Sequence, residues 1–274
     1  MTVADTPSGS TGADSVASTP RSSHRRRKPR PRARITFLGV LGELFITAGV
    51  LVMLFLGWQV WLNDLILGNQ QGQQAVELSE DWANEAPVPV EPTEPVDPAV
   101  PAEPVVQEAP GNAEKFGVLI VPRFGSDFER PIAEGVGTQD VLNTIGIGHY
   151  PDTQMPGEVG NFVLASHRMA GGGGFKDLHK LQVGDHIYVE TKAGWHSYVY
   201  RSTEYVLPTG VDVLEPVPQQ PGVEPVERYI TLTTCNPFFS TAERLIAYGV
   251  YDAWYPRAGG PPPEIADTIA ARSS

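Results

Sequence analysis

Apolar positions along the chain change character several times. Residues 1–20 carry almost nothing large and apolar, a composition that cannot offset ordering entropy, so disorder is expected there. An apolar run from Ile35 to Leu62 follows, with Glu43 its one charge. Its uncharged part, Leu44 to Leu62, is 19 residues long. At ~1.5 Å per residue that spans about 28 Å, close to the ~30 Å of a hydrocarbon core. One transmembrane helix is therefore expected within 35–62. Residues 63–82, polar and rich in Gln and Glu, read as a short helix leaving the membrane. From Ala86 to Pro110, prolines at 87, 89, 92, 95, 98, 101, 104 and 110 alternate with acids, the composition of an extended linker, giving a juxtamembrane and linker region over 63–115.

Beyond it the pattern shortens. Alternating or apolar runs at Gly117–Val121, Phe128–Ile132, Asn161–Ser166, Asp185–Thr191, Ser197–Leu207, Tyr229–Thr234 and Arg244–Tyr251, nearly all separated by turn residues, predict strands. Helical periodicity is confined to about 139–144 and 175–181. The class is all-β, an antiparallel barrel or sandwich over 116–256. Residues 257–274, with Gly259-Gly260-Pro261-Pro262-Pro263, are expected to form a flexible tail.

Charge sharpens this layout. The net charge is −12, yet residues 1–34 hold eight Lys/Arg against Asp5 and Asp14, a balance of +6 that leaves −18 on the rest. A basic cluster can contact nucleic acid, but this one abuts the apolar run. Membrane topology is the simpler cause, with a cytoplasmic N-terminus, an extracellular globular domain and no nucleic-acid partner. Trp58 and Trp61 suit the far interface. A cleavable signal peptide would have an apolar core of only ~7–15 residues and a small-x-small site, so an uncleaved anchor is expected.

The candidate chemistry centres on the single cysteine. In Tyr229-Ile230-Thr231-Leu232-Thr233-Thr234-Cys235-Asn236-Pro237, alternation puts Ile230 and Leu232 on one face and Thr231, Thr233 and Cys235 on the other. A lone Cys can be a small buried hydrophobe. It can equally be a nucleophile, given a base and a positive charge to favour the thiolate. Of six histidines, His24 lies on the cytoplasmic side, His179, His186 and His196 read as solvent-exposed, and His149 falls in a turn. His167 ends the apolar strand Asn161–Ser166 and opens onto Gly171-Gly172-Gly173-Gly174, a position suited to a catalytic base. Arg244 begins a strand soon after Cys235, and a hairpin would bring the two together. With one Cys and no closely spaced His pair, no metal and no cofactor are expected.

These pieces together resemble the sortases, membrane-anchored cysteine transpeptidases of Gram-positive envelopes. Thr231-Leu232-Thr233-Thr234-Cys235 matches the TLxTC motif, with Arg244 nine residues on and His167 in a segment like the family's His motif. Gly148-His149-Tyr150-Pro151 and Pro156-Gly157-Glu158 look most like class E, the housekeeping type of high-GC actinobacteria. The resemblance implies an eight-stranded barrel with His167, Cys235 and Arg244 catalytic. It further implies a sorting signal nearer LAxTG than LPxTG, cleaved between Thr and Gly. Its partners would be secreted proteins bearing that signal and a peptidoglycan-precursor amine resembling lipid II. Tyr150, Ser166 and Thr234 become candidate substrate contacts, Ser166 standing where many relatives have Gly. A thiol hydrolase using the same site, and a stalked surface module with Cys235 in its core, are the alternatives.

Overall fold

The computed structural model describes residues 36–58, 62–85 and 103–272. The basic N-terminus (1–34), Trp61 and the linker prolines from 87 to 101 lie outside the described residues.

Helix α1 covers Phe37–Gly57, 21 residues with none buried, and is long and apolar enough to cross a membrane. At ~1.5 Å per residue it measures about 31 Å. It starts earlier than the uncharged stretch and includes Glu43, because Thr36 Oγ1 accepts from the Gly39 N–H (3.3 Å) and caps the first turn.

Helix α2 spans Asn63–Asn84. Its buried positions are Gly68, Gln71, Ala75, Ser79 and Trp82, spaced three or four apart, so a single face packs. That face lies on the globular domain.

The domain is a closed barrel of eight strands: β1 Lys115–Ile120, β2 Glu129–Glu134, β3 Ile147–His149, β4 Gly160–Ser166, β5 His186–Thr191, β6 Gly194–Val206, β7 Arg228–Asn236 and β8 Glu243–Pro256. The order around it is β1-β2-β3-β4-β7-β8-β6-β5, closed by β5 on β1. Pairs β2–β3 and β4–β7 are parallel and the others antiparallel. All seven predicted strands are present. The eighth, β3, was expected as a turn, because Ile147-Gly148-His149 is short and glycine-containing. It pairs on both sides, and His149 is buried, with Nδ1 2.6 Å from Glu134 Oε2 and its ring against Phe116 and Phe162.

Strand alternation sorts residues into two environments. Phe162 and Leu164 of β4, Ile230 and Leu232 of β7, and Leu245 and Ala247 of β8 point into the barrel core with Phe175, Leu178 and Tyr198. A second cluster forms outside the wall. There Ala75 and Trp82 of α2 meet Val118 and Ile120 of β1, Tyr188, Trp195 and Ile265.

Ile265 belongs to the segment expected to be a flexible tail. Instead it folds back through a short helix, α3 (Ala266–Ala271), to Arg272. Arg272 pairs with Glu129 (2.7 Å) and Glu190 (3.1 Å), and all three side chains are at least 95% buried. Arg257 also reaches Glu190 (2.9 Å), and Ser79 of α2 donates to it (2.6 Å). The glycines and prolines of 259–263 make the turn that lets this happen, and the buried carboxylates supply the reason for it.

His196 also departs from its expected exposure. It lies on β6, fully buried against Trp254, because its β6 neighbours pair with the aromatic end of β8. Burial, reinforced by the Arg228 charge, lowers its pKa to about 3.

Two outcomes follow. Arg272→Ala leaves Glu129 buried without its arginine and Glu190 with Arg257 and Ser79 alone, which should cost about 3 kcal/mol in urea unfolding. For His196 the folded pKa lies below the unfolded value of about 6.5, so the unfolded chain binds the extra proton. Its stability contribution is complete above pH ~6.5 and is lost as pH falls toward the folded value. Melting curves of His196→Phe should show a shallower decline between pH 6.5 and 4.5, where most carboxylates still hold their charge.

Candidate active site

The site is built by strand register. Strands β4 and β7 run parallel, pairing Phe162 with Ile230 and Ala165 with Thr233. One step on, Thr234 Oγ1 donates to the Ser166 carbonyl (2.8 Å). A further step puts His167 level with Cys235, and the next is bridged by a hydrogen bond from Arg168 Nη1 to Asn236 Oδ1. On the other side of β7, Cys235 pairs directly with Arg244 of β8, as the expected hairpin requires. Directly opposed residues have Cβ atoms about 5 Å apart and project to the same face. Ser166, Thr234 and Leu245 alternate toward the inside, so His167, Cys235 and Arg244 lie on the outer face of three adjacent strands.

Cys235 is half-buried and free. His167 is also partly buried, with Nε2 2.9 Å from Asn143 Oδ1. Burial lowers its pKa below the usual histidine value, and the Asp64 carboxylate opposes that shift. Arg244 donates from Nη1 to the carbonyls of Thr241 (3.1 Å) and Glu243 (3.0 Å), bracing the loop that joins β7 to β8. Among the described residues its Nε and Nη2 have no protein acceptor.

Tyr150, just after β3, completes the group. Burial pushes its phenol pKa up, Arg244 draws it down and Cys235 adds to the rise, which puts the phenol within electrostatic reach of both. The other two candidate contacts sit differently. Ser166 and Thr234 are buried, 5% and 3% exposed, and their hydroxyls donate to the carbonyls of Gly146 (2.6 Å) and Ser166. They lock β4 to its neighbours from inside the wall, because alternation turns them away from the outer face. His149 pairs with Glu134, His186 with Glu264, His196 packs on Trp254, and His179 sits edge-on to Phe238 of the β7–β8 loop.

A wall rises beside the outer face. Asn161 of β4 is fully buried and donates from Nδ2 to the carbonyls of Val213 (2.9 Å) and Glu215 (3.0 Å), while its Oδ1 accepts from Thr231 (2.7 Å). One amide thus ties the long β6–β7 connection to both strands that carry the site. Asn143, Asn161 and Arg168 did not emerge from sequence reasoning. Only Asn161 left a signal, a polar residue inside an apolar strand, where a buried partner is the usual cause.

Beyond His167 the chain turns through Ala170, Gly171, Gly172 and Gly173, all with φ between +56° and +87°. At Gly171 a Cβ would lie 2.8 Å from His167 Cδ2 and 3.0 Å from the Leu142 carbonyl. Gly171→Ala should therefore displace the imidazole and strain the backbone. We expect at least a tenfold loss of turnover with a stability cost of only about 1–2 kcal/mol, checked by kinetics alongside thermal melting.

The comparisons with known proteins agree with this geometry. Residues 119–252 match the family model described as sortase domain. Sortase SrtE1 of Streptomyces coelicolor is 36% identical over 86% of this chain, which spans 63% of that relative's length. Sortase SrtE2 of the same organism is 32% identical over 82% of this chain and 85% of its own. Among solved structures, the SrtA sortase of Actinomyces oris aligns at 40% identity with a TM-score of 0.56, over 59% of this chain and 92% of its own. Sortase E1 of S. coelicolor with a tripeptide in the active site aligns at 39% identity with a TM-score of 0.51, over 57% and 98%. With this barrel and these relatives, the chain belongs to the sortase family of cysteine transpeptidases and is most like its class E members.

Proposed function

We propose that this protein is a single-pass membrane transpeptidase whose catalytic residues are His167, Cys235 and Arg244. It cleaves an LAxTG-like sorting signal between Thr and Gly and passes the acyl group to an amine of a peptidoglycan precursor resembling lipid II. The observation that carries this reading is the pairing of Cys235 with Arg244 across β7 and β8, with His167 directly after the end of β4 on the other side of β7. The tripeptide in the active site of the S. coelicolor relative supports a peptide ligand for the same face here. Helix α1 and the basic residues before it support anchoring with the N-terminus in the cytoplasm.

In this mechanism the Cys235 thiolate attacks the Thr carbonyl carbon, forming a C–S bond. Arg244, through the donors not engaged with its own loop, stabilises the negative charge on the carbonyl oxygen. Collapse of that intermediate breaks the C–N bond, and the departing Gly amine takes a proton from the His167 imidazolium. The thioester remains on Cys235. An incoming amine attacks it and surrenders a proton to His167, and the thiolate leaves, restoring both groups. Tyr150 lines the peptide site beside Cys235 and Arg244. Ser166 and Thr234 act from behind, as struts.

Burial disfavours the protonated His167 that this step needs, so turnover is expected to rise as pH falls from neutral until the thiolate is lost. Mass spectrometry of the products from LAxTG and LPxTG peptides, with a diamino acid as acceptor, tests the proposal. A ligated product is expected, with LAxTG preferred. Cys235→Ala should abolish it and Arg244→Lys should lose most of it, since a point charge does not replace a planar fork of donors. Turnover by Cys235→Ala would overturn the proposal, and release of free acid alone would leave a hydrolase.

A further inference from the structure

The loop that follows His167 is held from outside the barrel by α2. Asp64, in the first turn of that helix, accepts from the Ala170 N–H through Oδ2 (2.8 Å). Two turns later Gln71, 1% exposed, donates from Nε2 to the Gly171 carbonyl (2.8 Å). Gly68, on the same face, lets the helix approach closely, since a Cβ there would lie 3.3 Å from the Gly172 carbonyl. From the other side, a Cβ on Gly172 would collide with Gln71 Oε1 at 2.3 Å. The loop is thus a thin backbone layer with Gln71 on one surface and the His167 ring on the other.

Such a layer has little reason to hold one shape by itself. Four glycines carry large conformational freedom, and ordering them costs about 1–2 kcal/mol per residue. Within the loop, Gly173 N–H bonds to Ala170 (2.9 Å) and Phe175 N–H to His167 (3.0 Å), which closes the turn without fixing where it rests. The contacts from Asp64 and Gln71 fix its position.

We propose that α2 is part of the catalytic apparatus: Asp64 and Gln71 are positioning residues that seat the 168–174 loop behind His167. Asp64 also brings a carboxylate to that loop, three residues from His167, where negative charge favours the imidazolium. Asn143 at Nε2 is neutral and Cys235 lies one strand away. Arg168, next in the chain, is turned to Asn236 and to the face of Phe238, 4.1 Å from the ring centroid. Asp64 opposes the effect of burial on His167. Since α2 begins six residues after α1 ends, the helix that seats the catalytic loop is also the first element outside the expected membrane span.

This inference rests on His167 being the catalytic acid, and the test separates the two. In the full chain in detergent micelles, Asp64→Asn keeps an acceptor for Ala170 and removes the charge, while Asp64→Ala removes both. Asp64 is only partly buried, so melting temperatures should stay near that of the parent, which serves as the folding control. In a Cys235→Ala background, the NMR titration of His167 should move to lower pH in Asp64→Asn, whatever the reaction. With active protein, kcat for an LAxTG peptide at neutral pH should fall on the order of tenfold in Asp64→Ala and less in Asp64→Asn, with KM little changed and Asp64→Glu restoring most of it. An unmoved His167 titration, or unchanged kcat in Asp64→Ala while His167→Ala is inactive, overturns the inference. Activity surviving in His167→Ala instead defeats the functional reading and leaves the titration result to stand by itself.

Discussion

The parallel pairing of β4 with β7 is the constraint on which the site depends. It fixes Ala165 against Thr233, and everything beyond is counted from there. Shift the pair by one residue and Cys235 would turn into the barrel while Leu232 turned out, because side chains alternate with a period of two. The apolar set Phe162, Leu164, Ile230 and Leu232 therefore holds the chemistry in place by filling the core. Thr234 reinforces the register from inside, by its bond to the Ser166 carbonyl, and Asn161 from outside, by its bond from Thr231. A residue need not touch substrate to decide where the thiol points.

The opposite outer face solves a different problem. A closed barrel of this size has a dry interior, but its outer wall needs cover where it is apolar. Over β1, β5 and β6 that cover is α2 and the C-terminal segment, with Trp82 and Ile265 against Val118, Ile120 and Trp195. Two carboxylates, Glu129 and Glu190, are buried beneath them. Burial alone would drive such groups toward the neutral form, as the raised Glu129 pKa reflects. Arg257 and Arg272 arrive from beyond the barrel to compensate. The Arg272 side chain is thus more deeply buried than many strand residues.

How much of this was legible in the sequence follows from how local each cause is. Strands announced by alternation were found, because a half-buried wall imposes period two on its own residues. The Cys235–Arg244 pairing was legible for the same reason, as a hairpin is a local structure. Strand β3 was not, since three residues containing a glycine show no period and its partners lie on β2 and β4. His196 and the 257–272 segment were misread because composition describes a residue and burial describes its neighbours. His196 is dry on account of Trp254, 58 residues away, and Arg272 is ordered on account of Glu190. The support for His167 was hidden deepest. Asp64 and Gln71 come from α2 and Asn143 from the segment before β3, far from His167 in sequence, and they share no motif.

That hidden support bears on how a buried acid can work. A histidine taken out of water at the end of β4 loses protonation, yet the proposed reaction needs it to give up a proton to a leaving amine. Full exposure would restore the charge and forfeit the strong, oriented hydrogen bonding of a drier site. A carboxylate hydrogen-bonded to the ring itself would raise its basicity further and fix its orientation. Asp64 occupies an intermediate position: it bonds to the Ala170 N–H rather than to His167, so its charge reaches the imidazole through the loop without binding the proton itself. Placed in the first turn of α2, the carboxylate also favours its own helix end, so the residue that tunes the acid stabilises the element that positions it.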